Sequence, residues 1–86
     1  MLNVTKTENF NGVKNQFLIS TKDGLYLQSY NSIIAFKSKD GKTYLDDYYW
    51  DYSKTTGKYR NMFLNETKKD TENKIKDGTY ILTNLN

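Results

Sequence analysis

The chain has 86 residues, 36% of them hydrophobic, and a formal charge of +3. That suits one domain over 1–86 with a thin core and no room for a large cofactor cavity. Neither Cys nor His is present, which excludes disulfides, thiolate metal sites, a cysteine nucleophile, the usual general base near neutral pH and any Ser-His-Asp relay. A binding protein rather than an enzyme is expected, without cofactor or metal.

Met1-Leu2-Asn3-Val4-Thr5 is polar and holds no apolar run of leader length, and nothing later approaches ~20 apolar residues. The expectation is a soluble, cytoplasmic protein with no membrane partner. The triplets Asn3-Val4-Thr5 and Asn65-Glu66-Thr67 are then chance matches to a glycosylation signal. Gln16 to Thr21 is apolar and β-branched and reads as a strand, followed by a turn at Lys22-Asp23-Gly24. Leu25 to Tyr30 alternates, with Leu25 and Leu27 on one face and Tyr26, Gln28 and Tyr30 on the other. Ser32 to Lys39 is a third strand, with Ile34 and Phe36 opposing Ile33 and Ala35. Asp40-Gly41 signals a two-residue type I′ hairpin, and Lys42 to Asp46 returns as a fourth strand.

After Ser53 the period becomes helical. Ser53, Thr55 and Thr56 are candidate N-caps, and Tyr59, Met62 and Phe63 make one apolar stripe at i, i+3, i+4. Asn65-Glu66-Thr67 can end this helix and cap a second, Lys68 to Lys76, whose one anchor is Ile75 and which Asp77-Gly78 closes. Thr79 to Leu85 is a last strand, with Tyr80 and Leu82 opposing Ile81 and Leu85. The order, roughly β-β-β-β-α-α-β, predicts an α+β fold. Two short helices would cover one face of a mainly antiparallel sheet of about four to five strands.

Four stretches carry possible chemistry. Gly41-Lys42-Thr43 ends like a phosphate-binding loop, but Phe36 stands where the motif needs Gly, and the tripeptide follows a hairpin turn. In Ser53-Lys54-Thr55-Thr56-Gly57-Lys58, hydroxyls and lysines meet at a helix start, which serves capping or an anion equally well. The whole net charge lies in residues 54–86, where seven bases meet four acids. Lys54, Thr55, Thr56, Lys58, Arg60, Lys68 and Lys69 are therefore the candidate phosphate contacts to DNA or RNA. Glu66, Asp70, Glu72 and Asp77 interleave with this run, so a solvated, ion-paired face is the alternative.

Asp46-Asp47-Tyr48-Tyr49-Trp50-Asp51-Tyr52 packs four aromatics and three carboxylates into seven residues. A Mg²⁺ site on Asp46, Asp47 and Asp51 rests on proximity alone, and a strand turns Asp46 and Asp47 to opposite faces. Tyr48, Tyr49, Trp50 and Tyr52 are the candidate protein interface, since Tyr and Trp dominate interface hot spots. The alternative is that they complete a core short of aliphatics. Stacking on unpaired bases is opposed by the flanking acids.

Twelve of the thirteen basic residues are Lys, Asn and Tyr abound and Pro is absent, a bias that marks a low-GC genome. Leu25-Tyr26-Leu27-Gln28-Ser29-Tyr30, Ser32-Ile33-Ile34-Ala35, Gly41-Lys42-Thr43-Tyr44-Leu45 and Trp50 to Tyr59 with Phe63-Leu64 resemble a group of small uncharacterised phage and prophage proteins. The shared pattern reads SYxSxIA, a Gly hairpin, then WxYSxTTxK leading into a helix. The likeness covers about residues 24–83 and leaves the first ~20 residues outside as a variable strand or arm. It implies a phage accessory protein acting in the cytoplasm of a bacterial host cell. The expected function is to bind a host protein or nucleoprotein complex and block it sterically; inhibition of a defence complex such as CRISPR is one concrete form. Being basic, the chain is not expected to mimic DNA. The rival expectation is a nucleic-acid-binding accessory protein using the basic C-terminal helices.

Overall fold

The alternating first half forms five consecutive antiparallel strands in a computed structural model that describes residues 4–86. They are β1 (Val4–Asn9), β2 (Gln16–Thr21), β3 (Gly24–Ser29), β4 (Ser32–Ser38) and β5 (Thr43–Asp46), with a 3-10 turn at Phe10–Gly12 after β1. Two helices follow, α1 (Lys54–Leu64) and α2 (Lys68–Lys76), and β6 (Tyr80–Thr83) returns parallel to β5. The strands lie in chain order, β1-β2-β3-β4-β5-β6. The leader reading and the first triplet begin at residues 1–3, outside the described residues. Among the described residues, no helix is long and apolar enough to cross a membrane.

The sheet has six strands rather than four or five. The extra strand is β1, Val-Thr-Lys-Thr-Glu-Asn, all of it exposed. It carries no apolar alternation, so the period-2 signal is silent there. Backbone pairing to β2 forms it as an edge. A second difference lies in β4. Leu27 pairs with Ala35 but Gln28 pairs with Ile33, so Ile34 is the extra residue of a bulge. The bulge puts Ile34 beside Ala35 in the core and leaves Phe36 on the far face, where simple alternation had joined Ile34 to Phe36.

The helices cover one face. Phe63 and Leu64 of α1 pack on Leu27, Ile34, Ala35, Leu45 and Tyr80, with Trp50, Tyr49 and Ile75 around them. The hairpin between β4 and β5 stands where Asp40-Gly41 predicts it but closes differently. Ser38 N–H donates to the Lys42 carbonyl at 2.8 Å, so the loop is Lys39-Asp40-Gly41, with positive φ at Gly41 alone. Gly24 is more constrained, since a Cβ there at φ 151° would run into the Lys37 carbonyl and the Phe36 ring.

Ser53 caps α1 by accepting Thr56 N–H, and Asn65 ends the helix in the left-handed region at φ 55°. Thr67 caps α2 in a reciprocal capping box with Asp70. Between the helices Glu66 is buried and accepts three bonds, from Thr71 Oγ1 at 2.6 Å, Lys74 Nζ at 2.7 Å and the Tyr80 hydroxyl at 2.7 Å. It ties the start of α2 to β6. Burial works to raise its pKa, and these donors overcome that and hold the carboxyl below its ordinary value. Asp46, at the end of β5, follows the same logic. Burial opposes its charge, and the N–H groups of Leu85, Tyr49 and Tyr48 with the Asn86 amide outweigh it.

Two predictions follow from this packing. Glu66 and Asp46 have folded-state pKa values below their unfolded ones, so their stabilisation is complete above about pH 4.3 and is lost as pH falls through the folded values. Glu66→Gln should cost about 2 kcal/mol at pH 7, and the gap to the wild type should narrow as pH falls below the ordinary carboxyl range in thermal melts followed by circular dichroism. Gly24→Ala should cost about 3 kcal/mol by urea unfolding. Gly41→Ala, where no atom lies within 4 Å of the added Cβ, should cost only about 1 kcal/mol.

Candidate functional site

The segment from Asp47 to Ser53 joins β5 to α1 and is fixed at both ends by buried charge. At its start Asp46 accepts Tyr48 N–H at 3.1 Å and Tyr49 N–H at 2.8 Å on one oxygen. The other oxygen accepts Leu85 N–H at 2.7 Å and Asn86 Nδ2 at 2.9 Å. The Asn86 amide also bonds both the N–H and the carbonyl of Ile33, so it stands in for the rung that β5 no longer supplies. At the far end Arg60, 1% exposed, reaches back from α1. Its Nη1 donates to the Trp50 carbonyl at 2.9 Å and to Asp51 Oδ1 at 3.0 Å, and Nη2 donates to Asn61 Oδ1. The guanidinium also lies 5.2 Å from the Trp50 ring centroid.

With its ends held, the segment displays its tyrosines. Tyr48 is 68% and Tyr52 62% exposed. The rings of Tyr48, Tyr49 and Tyr52 form a triangle with centroids 4.7, 5.3 and 6.0 Å apart. Tyr49 and Tyr52 wall a pocket of 230 Å³ whose other side is Tyr30 and Ile34 and whose hydroxyls come from Ser29, Ser32, Ser53 and Thr56. Ser29 and Thr56 hydroxyls lie 3.3 Å apart there. Tyr30 sits at φ 55°, a strained conformation for a bulky residue, held by its N–H bond to the Asn15 carbonyl and by Gln28 Nε2 on its own carbonyl.

On the other flank of the α1 N-terminus lies an open charged groove of 680 Å³ lined by Ser53, Lys54, Gly57, Lys58, Arg60 and Lys68, with Asp51 among them. Asp51 takes Lys68 Nζ at 2.7 Å as well as Arg60. Burial alone would raise its pKa; Lys68 and Arg60 bring it below the ordinary value. Lys54, Lys58 and Lys69 stand in no ion pair among the described residues.

The aromatic candidates therefore divide. Tyr48 and Tyr52 face solvent, while Tyr49 and Trp50 are both partly buried against the core, Trp50 beside Arg60. The anion candidates divide too. Lys54, Lys58 and Lys68 edge one groove, Thr55 and Lys69 are exposed, Thr56 is buried against Ser29 and Ser53, and Arg60 is buried. Its surroundings explain why the expected stripe Tyr59, Met62, Phe63 is displaced: the inward face is Thr56, Gly57, Arg60, Phe63 and Leu64, and Met62 is exposed. Asp46 turns into the loop backbone and Asp51 toward α1, and among the described residues the two do not gather with Asp47 into one cluster. Sequence reading missed Tyr30 as a wall of the pocket. The signal available was a tyrosine at a tight turn between two strands, where small or Asn-like residues are usual.

No curated protein matches this chain, and no solved structure does. The family match starts well before residue 24, so β1 and β2 lie within the matched span. The chain belongs to a family of unknown function (DUF8033), whose model matches residues 2–79.

Proposed function

We propose that this chain is a non-enzymatic accessory protein of phage origin that binds a host protein or nucleoprotein complex and blocks it sterically, as an inhibitor of a defence complex such as CRISPR would. The observation that carries the reading is the exposure of Tyr48 and Tyr52 on a stiff segment beside the 230 Å³ pocket. Apolar rings held out of a core, on a loop fixed by two buried charges, give contact area at small ordering cost. The pocket is smaller than the ~300 Å³ at which small-molecule sites begin. It suits one large side chain of a protein partner better than a cofactor. Lys54 and Lys58 on the neighbouring groove would favour an acidic rim on that partner.

A second reading, nucleic-acid binding, draws on the same groove, because Lys54, Lys58 and Lys69 are free of carboxylates among the described residues. The Asp51 pairs with Arg60 and Lys68 weaken it by removing two of the seven candidates from phosphate neutralisation.

Two measurements separate these readings. Pull-down from bacterial host lysate should recover one partner at stoichiometric amounts, and Tyr48→Ala with Tyr52→Ala should reduce its affinity by tenfold or more, about 1.4 kcal/mol, while Lys69→Ala does not. Absence of any stoichiometric partner sinks the first reading. For the second, log affinity for single-stranded DNA should fall linearly with log salt. Lys54→Ala with Lys58→Ala should lower the slope by about 1.4. No mobility shift at low salt ends that reading.

A further inference from the structure

The face of the sheet turned away from the helices differs in composition from the rest of the molecule. Ile19, Tyr26, Phe36, Tyr44 and Ile81 stand in one register and form a row across β2 to β6, with Phe17 beside it. The Tyr26 and Phe36 rings stack at 4.1 Å, and Phe36 and Tyr44 follow at 6.0 Å. Neighbouring rings bury Phe36 and Ile19, while Tyr26 and Tyr44 keep part of their surface open and Ile81 is 38% exposed. No lysine, arginine or glutamate shares these registers. Lys6, Glu8 and Lys37 occupy the opposite, helix-facing registers. Asp46, the one acid on this side, is sealed by backbone and amide donors. In a chain with 27% charged residues, a whole sheet face without an exposed strand charge is a departure that needs a cause.

We propose that this face is the interface of a homodimer in which two copies meet sheet to sheet. The occupant follows from charge. The molecule carries +3, and two copies repel wherever their charged surfaces meet. Across this face they meet with no strand charge to desolvate and none to repel, so the surface is compatible with itself in the isologous manner of a two-fold pair. Area agrees. Four strands about 20 Å long and two four-residue strands about 13 Å long, spaced about 4.8 Å apart, cover roughly 500 Å² per copy, so a pair buries on the order of 1,000 Å², the area at which specific interfaces begin. Edge-to-edge pairing is the weaker geometry, because β1 carries a register shift between Val4 and Lys6 and a lysine on its edge.

Sedimentation equilibrium from about 1 to 500 µM tests the proposal. The mass of the wild type should rise from 10.1 kDa toward twice that value. Tyr44→Glu with Ile81→Glu should stay at the monomer mass throughout, and Tyr48→Ala with Tyr52→Ala should dimerise like the wild type. Because the glutamate variant is capable of misfolding, aromatic and methyl NMR shifts of the wild type are followed over the same dilution. They should move at Tyr26, Phe36, Tyr44 and Ile81. A monomer mass at every concentration overturns the proposal, and so do dilution shifts confined to β1 or to Tyr48 and Tyr52. Partner binding through Tyr48 and Tyr52 is measured separately, so either result stands without the other.

Discussion

A guanidinium with 1% of its surface exposed must have its charge met, and Arg60 meets it through Nη1 with the segment that precedes its own helix, while Nη2 bonds Asn61 and the buried Nε has no hydrogen-bond partner. The Trp50 carbonyl, the Trp50 ring and the Asp51 carboxylate converge on it. The helix cannot dock without closing the loop, and the loop cannot close without the helix. Removing Asp51 would strand the buried Arg60 charge, which is far costlier than the net worth of the pair. This mutual constraint turns seven residues rich in Tyr and Asp into a stiff display. Asp46 completes it from the other side by gathering Tyr48, Tyr49 and the C-terminal Leu85 and Asn86 onto one carboxylate.

The same interactions sort the molecule into surfaces of different character. The N-terminus of α1 divides two of them, a small tyrosine-walled pocket on one flank and an open basic groove on the other. Asp51 serves both, since it anchors the aromatic segment while it neutralises Arg60 and Lys68. Lys54 and Lys58, free of carboxylates among the described residues, line the groove, and Ser53 lines both the groove and the pocket. The far face of the sheet has neither property. It is an uncharged aromatic ladder in which each ring shields its neighbour.

Much of the fold was readable from local pattern. β2 and α2 fall on the residues that periodicity and caps assign, and Ser53, Asn65 and Thr67 terminate helices as their chemistry predicts. β1 was not readable, because a polar edge strand owes its existence to hydrogen bonds with a neighbour and not to its own composition. The bulge at Ile34 was hidden for a related reason: one extra residue shifts the facing of a strand, and apolar residues at 33, 34, 35 and 36 permit either register. The site was partly legible. The Tyr-rich segment stands out in the sequence, but Tyr48 and Trp50 look alike there, and in the structure Tyr48 is exposed while Trp50 packs partly buried beside Arg60.

What the sequence determined by itself was the order of elements from β2 onward, the caps, and the absence of thiol and imidazole side chains, all of which depend on residues near one another or on composition alone. Which charges are free was decided by the tertiary structure. Arg60 and Lys68 belong to the basic run on paper, yet both face Asp51, from elements that only folding brings together. The same holds for Asp46, whose four donors come from segments up to 40 residues away. A charge is defined by what surrounds it, and for a buried group those surroundings are set by long-range packing that no local pattern encodes.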